Sequence, residues 1–383
     1  MTALIKCTDD WFGALESGLE VCAVFFDFKK AFDSVPHQIL LQKLTFLGLD
    51  SYVISWVHDY LCGRTQSVVV DGAESDVASV LSGVPQGSVL GPLLFLIYIN
   101  DLPGAALHPS AIINLFADDV LLYHYVSKPS DYLTVQASIN CIQQWSSDHY
   151  LCLNALKCKY MLISRKKQPL QPIHPLVLNG ENLEKVDTYK YLGILLTSGL
   201  SWSPHISSIC KKARQILGLI YRRFYGNADQ DTIKQLYISL VRPHLEYGSQ
   251  VWDPHLAKDK TCLENVQKFA CRIASAKWDE CYEELLLASE LPTLQERRLH
   301  TKLGLLYKIV HGLCFFPEGT FHLRHLNLSN RANHDFQFVV PFAHTNSFKY
   351  SFVPHTTSVW NSLQKESVSA SSFHAFKRSL CSL

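Results

Sequence analysis

The sequence has no run of about 18 consecutive apolar residues, because Gly, Pro or Asp interrupts its longest hydrophobic stretches. A membrane-spanning helix is therefore not expected. The sequence also lacks a signal peptide and Cys-x-x-Cys pairs, so its 12 cysteines are expected to be reduced thiols and not disulfides or zinc ligands. We expect an intracellular protein that is not secreted and that resides in the nucleus, the cytoplasm or both.

A marked excess of charge of either sign is also missing. There are 35 Lys and Arg residues against 34 Asp and Glu residues, which gives a net charge of +1. A nucleic-acid partner would therefore have to be recognised by local basic faces. The hydrophobic share of 48% and the charged share of 18% are typical of a folded protein, and 383 residues suggest two or three domains.

Residues 112–123 carry two apolar runs around a short polar break, a pattern that predicts a β-hairpin. The tip of this hairpin holds two adjacent carboxylates, Asp118 and Asp119, with no Lys or Arg nearby in the sequence. Such a pair is suited to a hard divalent cation, although an acidic turn is more often simply solvated.

A second carboxylate position follows the uninterrupted apolar run at residues 21–26, which predicts a strand buried on both faces. Asp27 stands at the end of this strand, where sheet proteins commonly place ligand-binding groups. For the next acid, Asp33, a helix N-cap is an equally good explanation.

A loop at residues 82–92 contains three glycines and two prolines and opens a helix predicted over 93–100. The loop either lets a substrate approach the backbone closely or is a plain turn. Further along, residues 189–196 predict one strand that contains Gly193, which suggests a bulge or a close backbone approach.

Strands give way to helices beyond about residue 203, and the clearest helix is predicted over 205–225. One side of this helix is apolar, and the other is basic without any acid. This basic face suits either solvent or nucleic-acid phosphates. Its members are Lys211, Lys212, Arg214, Arg222 and Arg223.

In their order, these features resemble the palm of reverse transcriptases, most closely those of LINE-type retrotransposons without long terminal repeats. Residues 26–33 resemble motif A, residues 83–92 motif B, residues 116–119 motif C, residues 154–159 motif D and residues 191–193 motif E. The resemblance implies an α+β fold: a right-hand polymerase palm with an antiparallel sheet and packed helices, partial fingers, and a helical thumb and tail. The implied domains are a palm with remnant fingers at 1–203, a helical thumb or connection at 204–300, and a carboxy-terminal region of unassigned role at 301–383.

The resemblance also implies a chemistry, the RNA-directed addition of dNTPs to a DNA primer on an RNA template. Two Mg²⁺ ions, or Mn²⁺ as a substitute, would be held by carboxylates, and a lysine would donate a proton to the departing pyrophosphate. The metal and catalytic residues would be Asp27, Asp118 and Asp119, with Lys157 as the proton donor. The incoming nucleotide would contact Phe32, Gln86 and Gly87. The primer grip would be Tyr191, Leu192 and Gly193, and the thumb would be the basic helix.

Phe32 stands at the family's steric-gate position, where a bulky ring disfavours a 2′-hydroxyl, although part of the ring is also explained as core packing. Two hypotheses remain: an active RNA-directed DNA polymerase domain, and an inactive remnant that retains nucleic-acid binding. Phe32 and the Phe-Ala-Asp-Asp sequence at 116–119 disfavour an RNA-templated RNA polymerase. Since motif A begins close to Met1 and no endonuclease precedes it, we expect an amino-terminally truncated element.

Overall fold

The structure is a computed structural model that describes residues 1–105, 108–317, 319–323, 334 and 336–380. It divides into two compact units, and each is described by itself. They are the sheet unit, residues 19–187, and the helical unit, residues 1–18 with 188–383. Part of the predicted carboxy-terminal region at 301–383 lies outside the described residues. The domain limits at residues 203 and 300 stay predictions.

The chain begins with helix α1 (Thr2–Glu16), which belongs to the helical unit. The strands of the sheet unit are β1 (Glu20–Phe26), β2 (Thr65–Gln66), β3 (Val69–Val70), β4 (Ala73–Glu74), β5 (Ala78–Ser79), β6 (Ile112–Phe116), β7 (Asp119–Val126), β8 (Lys159–Ile163), β9 (Val177–Leu178), β10 (Glu181–Asn182) and β11 (Glu184–Lys185). Its α-helices are α2 (His37–Phe46), α3 (Ser51–Leu61), α4 (Leu90–Ile99) and α5 (Asp131–Asp148), with 3-10 helices at Ala31–Ser34 and Leu102–Gly104.

Five strands form the main sheet of this unit, in the order β11, β8, β1, β7, β6. β1 runs antiparallel to both β7 and β8, and β6 runs antiparallel to β7. All seven residues of β1 are buried, as the uninterrupted apolar run predicted. The predicted antiparallel palm sheet is confirmed, apart from the short edge strand β11, which pairs parallel with β8.

Helices bury one apolar stripe each in the core of the sheet unit. Leu40 and Leu44 of α2 and Val135 and Ile139 of α5 are fully or almost fully buried, and their spacing of three or four residues places each pair on one helix face.

Helix α4 begins at Leu90, earlier than the predicted residue 93. Its first turn is stabilised by Ser88, whose hydroxyl accepts a hydrogen bond from the backbone N–H of Gly91 at 2.9 Å. A side-chain oxygen just before a helix satisfies an N–H that has no partner within the helix. The Gly-Pro pair at 91–92 therefore lies inside the first turn and not before it.

The helical unit adds strands β12 (Thr188–Tyr191) and β13 (Ile194–Thr197). Its further helices are α6 (Ser203–Phe224), α7 (Gln230–Leu236), α8 (Arg242–Glu246), α9 (Ser249–Trp252), α10 (Ala257–Ser275), α11 (Tyr282–Ser289), α12 (Leu294–Val310), α13 (Asn346–Lys349), α14 (Phe352–Asn361), α15 (Lys365–Val368) and α16 (Phe373–Leu380), with a π-helix at Tyr237–Val241. No helix within the described ranges combines the length and the apolar character needed to cross a membrane.

The prediction of one strand over residues 189–196 is wrong. β12 and β13 pair antiparallel as a hairpin whose two-residue turn is Leu192 (φ 46°) and Gly193 (φ 83°). Positive φ at both turn residues is the geometry that tight hairpins favour, and glycine adopts it without steric cost. A glycine within an apolar run is compatible with either a bulge or a turn, so the local sequence did not distinguish them.

Helix α6 has the amphipathic character that the sequence predicted over 205–225. Ile206, Ala213 and Ile220 are buried on one side, together with Cys210 and Leu217. The basic residues occupy the other side and are all exposed. A helix with this division is held in place by its apolar stripe.

We expect Leu122→Ala to lower the free energy of unfolding by about 2–5 kcal/mol, because a fully buried leucine of β7 would be replaced by a cavity. Chemical denaturation followed by circular dichroism measures this change. The matched control is Leu133→Ala on α5, where the leucine is 59% exposed. The control should stay within about 0.5 kcal/mol of the wild type, and equal losses for both variants would contradict the burial pattern.

Candidate active site

The end of β1 brings Asp27 to the tip of the β6–β7 hairpin. In the antiparallel register, Phe26 pairs with Val120, so the next residue on each strand, Asp27 and Asp119, face each other across the two strand ends. The backbone of Asp27 is fixed on its other side, because its carbonyl accepts the N–H of Asn154 at 2.8 Å. The register therefore fixes Asp27 beside the acidic turn.

The hairpin itself turns at Ala117 and Asp118, between the paired residues Phe116 and Asp119. Ala117 has φ 52°, a left-handed conformation that costs a non-glycine residue about 1–2 kcal/mol. The buried flanks compensate for this strain, since Val120, Leu121 and the rest of the β7 core are almost wholly inaccessible to solvent. The predicted hairpin is thus confirmed, with its two carboxylates at the tip.

The electrostatics of this tip are those of converging carboxylates. Partial burial raises the pKa of Asp119, and the negative charges of Asp118 and Asp27 raise it further. Oδ2 of Asp27 is buried and accepts no hydrogen bond. Three carboxylates, one of which has an oxygen that accepts no hydrogen bond, are suited by donor type to a hard divalent cation. Within the described residues, however, no three His, Cys, Asp or Glu side chains are already arranged as metal ligands.

A turn before β8 completes this corner of the sheet unit. The Nζ atom of Lys157 lies 3.7 Å from Oδ2 of Asp27, and the lysine side chain is 69% exposed. The backbone N–H of Asp27 donates to Sγ of Cys158 at 3.3 Å, and burial raises the pKa of that thiol to about 11. Lys159 instead pairs with Glu184 at 2.6 Å. Of the two lysines in the motif D segment, Lys157 is the one beside Asp27.

The glycine-rich loop packs against the segment that follows Asp27. Gly83 has φ 94°, and a Cβ added there would lie 2.7 Å from Cα of Asp33. The N–H of Gly83 donates to the carbonyl of Val35, and the N–H of Val84 donates to the carbonyl of Phe32, both at 2.8 Å. Only glycine permits this approach of two backbones, which joins the loop at 83–87 to the segment at 31–35.

Two predicted nucleotide-binding side chains are positioned by this junction. The ring of Phe32 is half-buried and stacks on Phe95, with ring centroids 4.4 Å apart. The amide of Gln86 donates from Nε2 to Oδ1 of Asp33 at 2.9 Å and is exposed. Gly87 is also exposed, and a Cβ added there would meet no atom within 4 Å.

Sequence reasoning did not assign a role to Asp33 or Cys158. The helix N-cap expected as an alternative for Asp33 is wrong, because Asp33 lies inside the 3-10 helix Ala31–Ser34. Its carboxylate accepts a hydrogen bond from the Gln86 amide, 53 residues further along the chain. Cys158 was one of many dispersed cysteines. The only indication of their positions is that Asp33 lies within the motif A segment and Cys158 within the motif D segment.

The predicted nucleic-acid residues belong to the helical unit. Tyr191 is buried at the end of β12, the carbonyl of Leu192 accepts a hydrogen bond from the Tyr247 hydroxyl at 3.2 Å, and Gly193 lies against the Tyr247 ring. On α6, the guanidinium of Arg214 donates to Sγ of Cys262 at 3.5 Å. In the described part of the chain, none of the five predicted thumb cations forms an ion pair with an acidic side chain.

Comparison with known proteins identifies a family for the part of the chain that contains this site. Residues 7–196 match the family model described as reverse transcriptase (RNA-dependent DNA polymerase). The RNA-directed DNA polymerase from mobile element jockey of Drosophila melanogaster is 29% identical over 284 residues, which are 69% of this chain and 30% of that protein. The jockey polymerase of Drosophila funebris is 28% identical over 281 residues, with the same coverage of 69% and 30%. The chain thus spans about a third of the length of these curated relatives.

Among solved structures, the apo telomerase of Candida tropicalis aligns with 78% of this chain and 47% of its own. Its sequence identity is 13% and the TM-score is 0.43.

We expect Gly83→Ala to lower the free energy of unfolding of the sheet unit by about 1–3 kcal/mol or more, because the new methyl group adds a backbone clash to the strained φ. The control is Gly72→Ala in the β3–β4 turn, which has a similar φ of 83° and open space around the added Cβ. Urea denaturation should show the smaller loss for the control. Equal losses would mean that the close approach to Asp33 contributes nothing.

Asp119→Asn tests the electrostatics of the hairpin tip. Because the folded state raises the pKa of Asp119, the folded protein binds more protons there than the unfolded chain, and this group favours folding less as the pH rises. We therefore expect the stability of Asp119→Asn relative to the wild type to increase from pH 4 to pH 8. Urea denaturation with a chelator present measures the difference. The same substitution at Asp71, in the exposed β3–β4 turn, should show a smaller pH dependence, and a relative stability that falls with pH would contradict the carboxylate cluster.

Proposed function

Through residues 7–196 the chain belongs to the reverse transcriptase family, and we propose that its acidic hairpin and strand end add deoxynucleotides to a DNA primer on an RNA template. The observation that carries this proposal is the β1–β7 register, which brings Asp27 to the turn of Asp118 and Asp119. Carboxylates from separate strands are what a centre for nucleotide addition requires, since negative charge develops on both the attacking and the leaving oxygen.

Asp27, Asp118 and Asp119 would hold the divalent ions, Mg²⁺ or Mn²⁺. When bound, these ions would stabilise the charge on the primer 3′-oxygen and on the pyrophosphate. The raised pKa of Asp119 supports this assignment, because a cation would relieve the repulsion that raises it. Oδ2 of Asp27, which is buried and accepts no hydrogen bond, supports it as well.

Lys157 would donate a proton to the departing pyrophosphate. Its Nζ atom is 3.7 Å from Oδ2 of Asp27, and its side chain is mostly exposed, so it can turn towards a leaving group beside this carboxylate. Proton donation at the moment of bond cleavage lowers the charge that the leaving group must carry.

The incoming dNTP would lie between Phe32 and the loop that holds Gln86 and Gly87. Stacking on Phe95 restrains the Phe32 ring, and a restrained ring excludes a 2′-hydroxyl better than a mobile one. The hydrogen bond to Asp33 likewise orients the Gln86 amide. These contacts support a selection for deoxynucleotides in which the Phe32 ring excludes nucleotides that carry a 2′-hydroxyl.

Template and primer would be held by the helical unit. We assign the primer grip to the β12–β13 turn, at Tyr191, Leu192 and Gly193. The basic face of α6, which carries Lys211, Lys212, Arg214, Arg222 and Arg223, would contact the backbone of the duplex. Such phosphate contacts carry no sequence preference. The roles of 1–203 as palm and 204–300 as thumb belong to the same proposal, as does an intracellular location, where RNA and dNTPs are found.

The direct test is primer extension by the full chain on a poly(rA) template with an oligo(dT) primer, dTTP and Mg²⁺. We expect extension by the wild type and a loss of more than about 100-fold in Asp118→Ala, because a ligand of the proposed metal site is removed. Gel analysis of the extended primer measures the rate. The matched control is Asp59→Ala, an aspartate of α3 whose side chain is 78% exposed, and it should retain the wild-type rate.

A binding measurement separates catalysis from substrate capture. Asp118→Ala should bind the template-primer duplex as the wild type does, since the basic face of α6 is unchanged. Wild-type protein that binds the duplex with salt-dependent affinity but never extends the primer would exclude the polymerase and leave the second function, nucleic-acid binding without synthesis.

A further inference from the structure

An aromatic cluster lies at the carboxyl end of α6, in the helical unit. Tyr221 and Tyr225 are in contact, with ring centroids 4.7 Å apart. Trp278, in the loop that follows α10, packs edge-on against both rings at 6.3 and 6.0 Å. Phe269 of α10 closes the inner side at 6.2 Å from Trp278. Two helices and one loop thus contribute to one group of rings, which we call the aromatic platform: Tyr221, Tyr225, Phe269 and Trp278.

The platform is held rigidly, yet it remains partly open to solvent. Trp278 is 38% exposed and Tyr221 is 36% exposed. The indole N–H of Trp278 donates to the Tyr225 hydroxyl at 3.1 Å, which fixes the orientation of the Trp278 ring. α10 ends at Ser275, and the next residue, Ala276, has a φ of 54° that redirects the chain towards Trp278. Packing two helices against each other does not require aromatic rings that are held in one orientation and partly exposed to solvent.

Two exposed arginines adjoin the platform. Arg222 and Arg223 stand between the two tyrosines in the sequence and are exposed, and within the described residues neither has an acidic partner. In the loop that carries Trp278, Lys277 pairs with Glu280 at 2.7 Å, and Asp279 directly follows Trp278 in the sequence. The chemical complement of aromatic rings beside cations is a polyanion that carries flat, stackable groups.

We propose that the aromatic platform binds unpaired bases of a single-stranded nucleic acid, with Arg222 and Arg223 contacting its phosphates. Unpaired bases present the faces that stack on aromatic side chains, whereas duplex bases are already stacked on one another. The two arginines neutralise the backbone of the same strand. Since every base has a π-face, the site discriminates strandedness and not sequence.

This inference goes beyond the proposed polymerase activity and does not require it. The duplex contacts assigned to α6 are electrostatic, whereas the platform adds a stacking contact that only unpaired nucleotides can make. A binding assay without dNTPs tests the platform alone. Failure of primer extension would therefore leave it standing, and failure of the platform would leave primer extension untouched.

The experiment compares the affinity of the full chain for a fluorescein-labelled single strand of mixed sequence with that for a blunt duplex of the same length. We expect Trp278→Ala to weaken single-strand binding by about 5- to 150-fold, the loss that corresponds to one stacked base. Trp278→Phe should keep most of the affinity because it retains a ring. Duplex binding should change by less than about twofold in both variants, since it relies on phosphate contacts.

Two controls keep the result interpretable. Trp56→Ala on α3 removes another exposed tryptophan, 56% accessible and without an assigned role, and should leave both affinities unchanged. A double substitution of Arg222 and Arg223 to Gln should weaken both ligands and reduce the salt slope by about 1 for each arginine, whereas Trp278→Ala should leave the slope unchanged. Circular dichroism verifies that each variant is folded.

Measuring the affinity for the single strand as RNA and as DNA shows which nucleic acid supplies the bound bases. Equal losses on both forms support a platform for any single strand, and a loss on one form supports the platform and names its ligand. Unchanged single-strand affinity in folded Trp278→Ala would overturn the proposal. So would an equal loss on single strand and duplex, because the tryptophan would then act on general binding and not on stacking.

Discussion

The antiparallel register of β1 against β7 is the constraint on which the candidate site depends. Every residue of β1 is buried, so the strand contacts other elements on both faces and cannot slide without exposing apolar side chains. Because the register is fixed, the residue that follows β1 must face the residue that begins β7. These residues are Asp27 and Asp119, and their proximity follows from hydrophobic burial elsewhere in the sheet.

Two unfavourable local terms are concentrated near this point. Ala117 adopts a left-handed conformation at the turn, and the pKa of Asp119 is raised by partial burial and by neighbouring carboxylates. Neither feature stabilises the fold by itself. They persist because the surrounding core over-determines the backbone, which is typical of functional sites.

The helical unit has its own electrostatic organisation. Arg298 and Lys302 of α12 are both almost completely buried and contact the carboxylate of Asp253, at 2.8 and 2.9 Å. Burial raises the pKa of Asp253, but the two cations overcome that effect and bring it below its usual value. On the surface the arrangement differs, since the cations of α6 have no acidic partners within the described residues. Buried cations are thus paired with a carboxylate of the protein, while the exposed cations of α6 are available to a ligand.

The sequence by itself determined the strand that ends at Asp27, the acidic hairpin, the basic helix and the order of the motifs, because burial period and residue type are local properties. The residues of the motifs also indicated Gln86 and Phe32. Only the tertiary structure revealed that Asp33 accepts the Gln86 amide, that Cys158 caps the N–H of Asp27, and that residues 188–197 form a hairpin. It also brought Trp278 to Tyr221 and Tyr225. These contacts either join positions that are far apart in the chain or depend on a backbone angle. Local sequence composition predicts neither long-range contacts nor individual backbone angles.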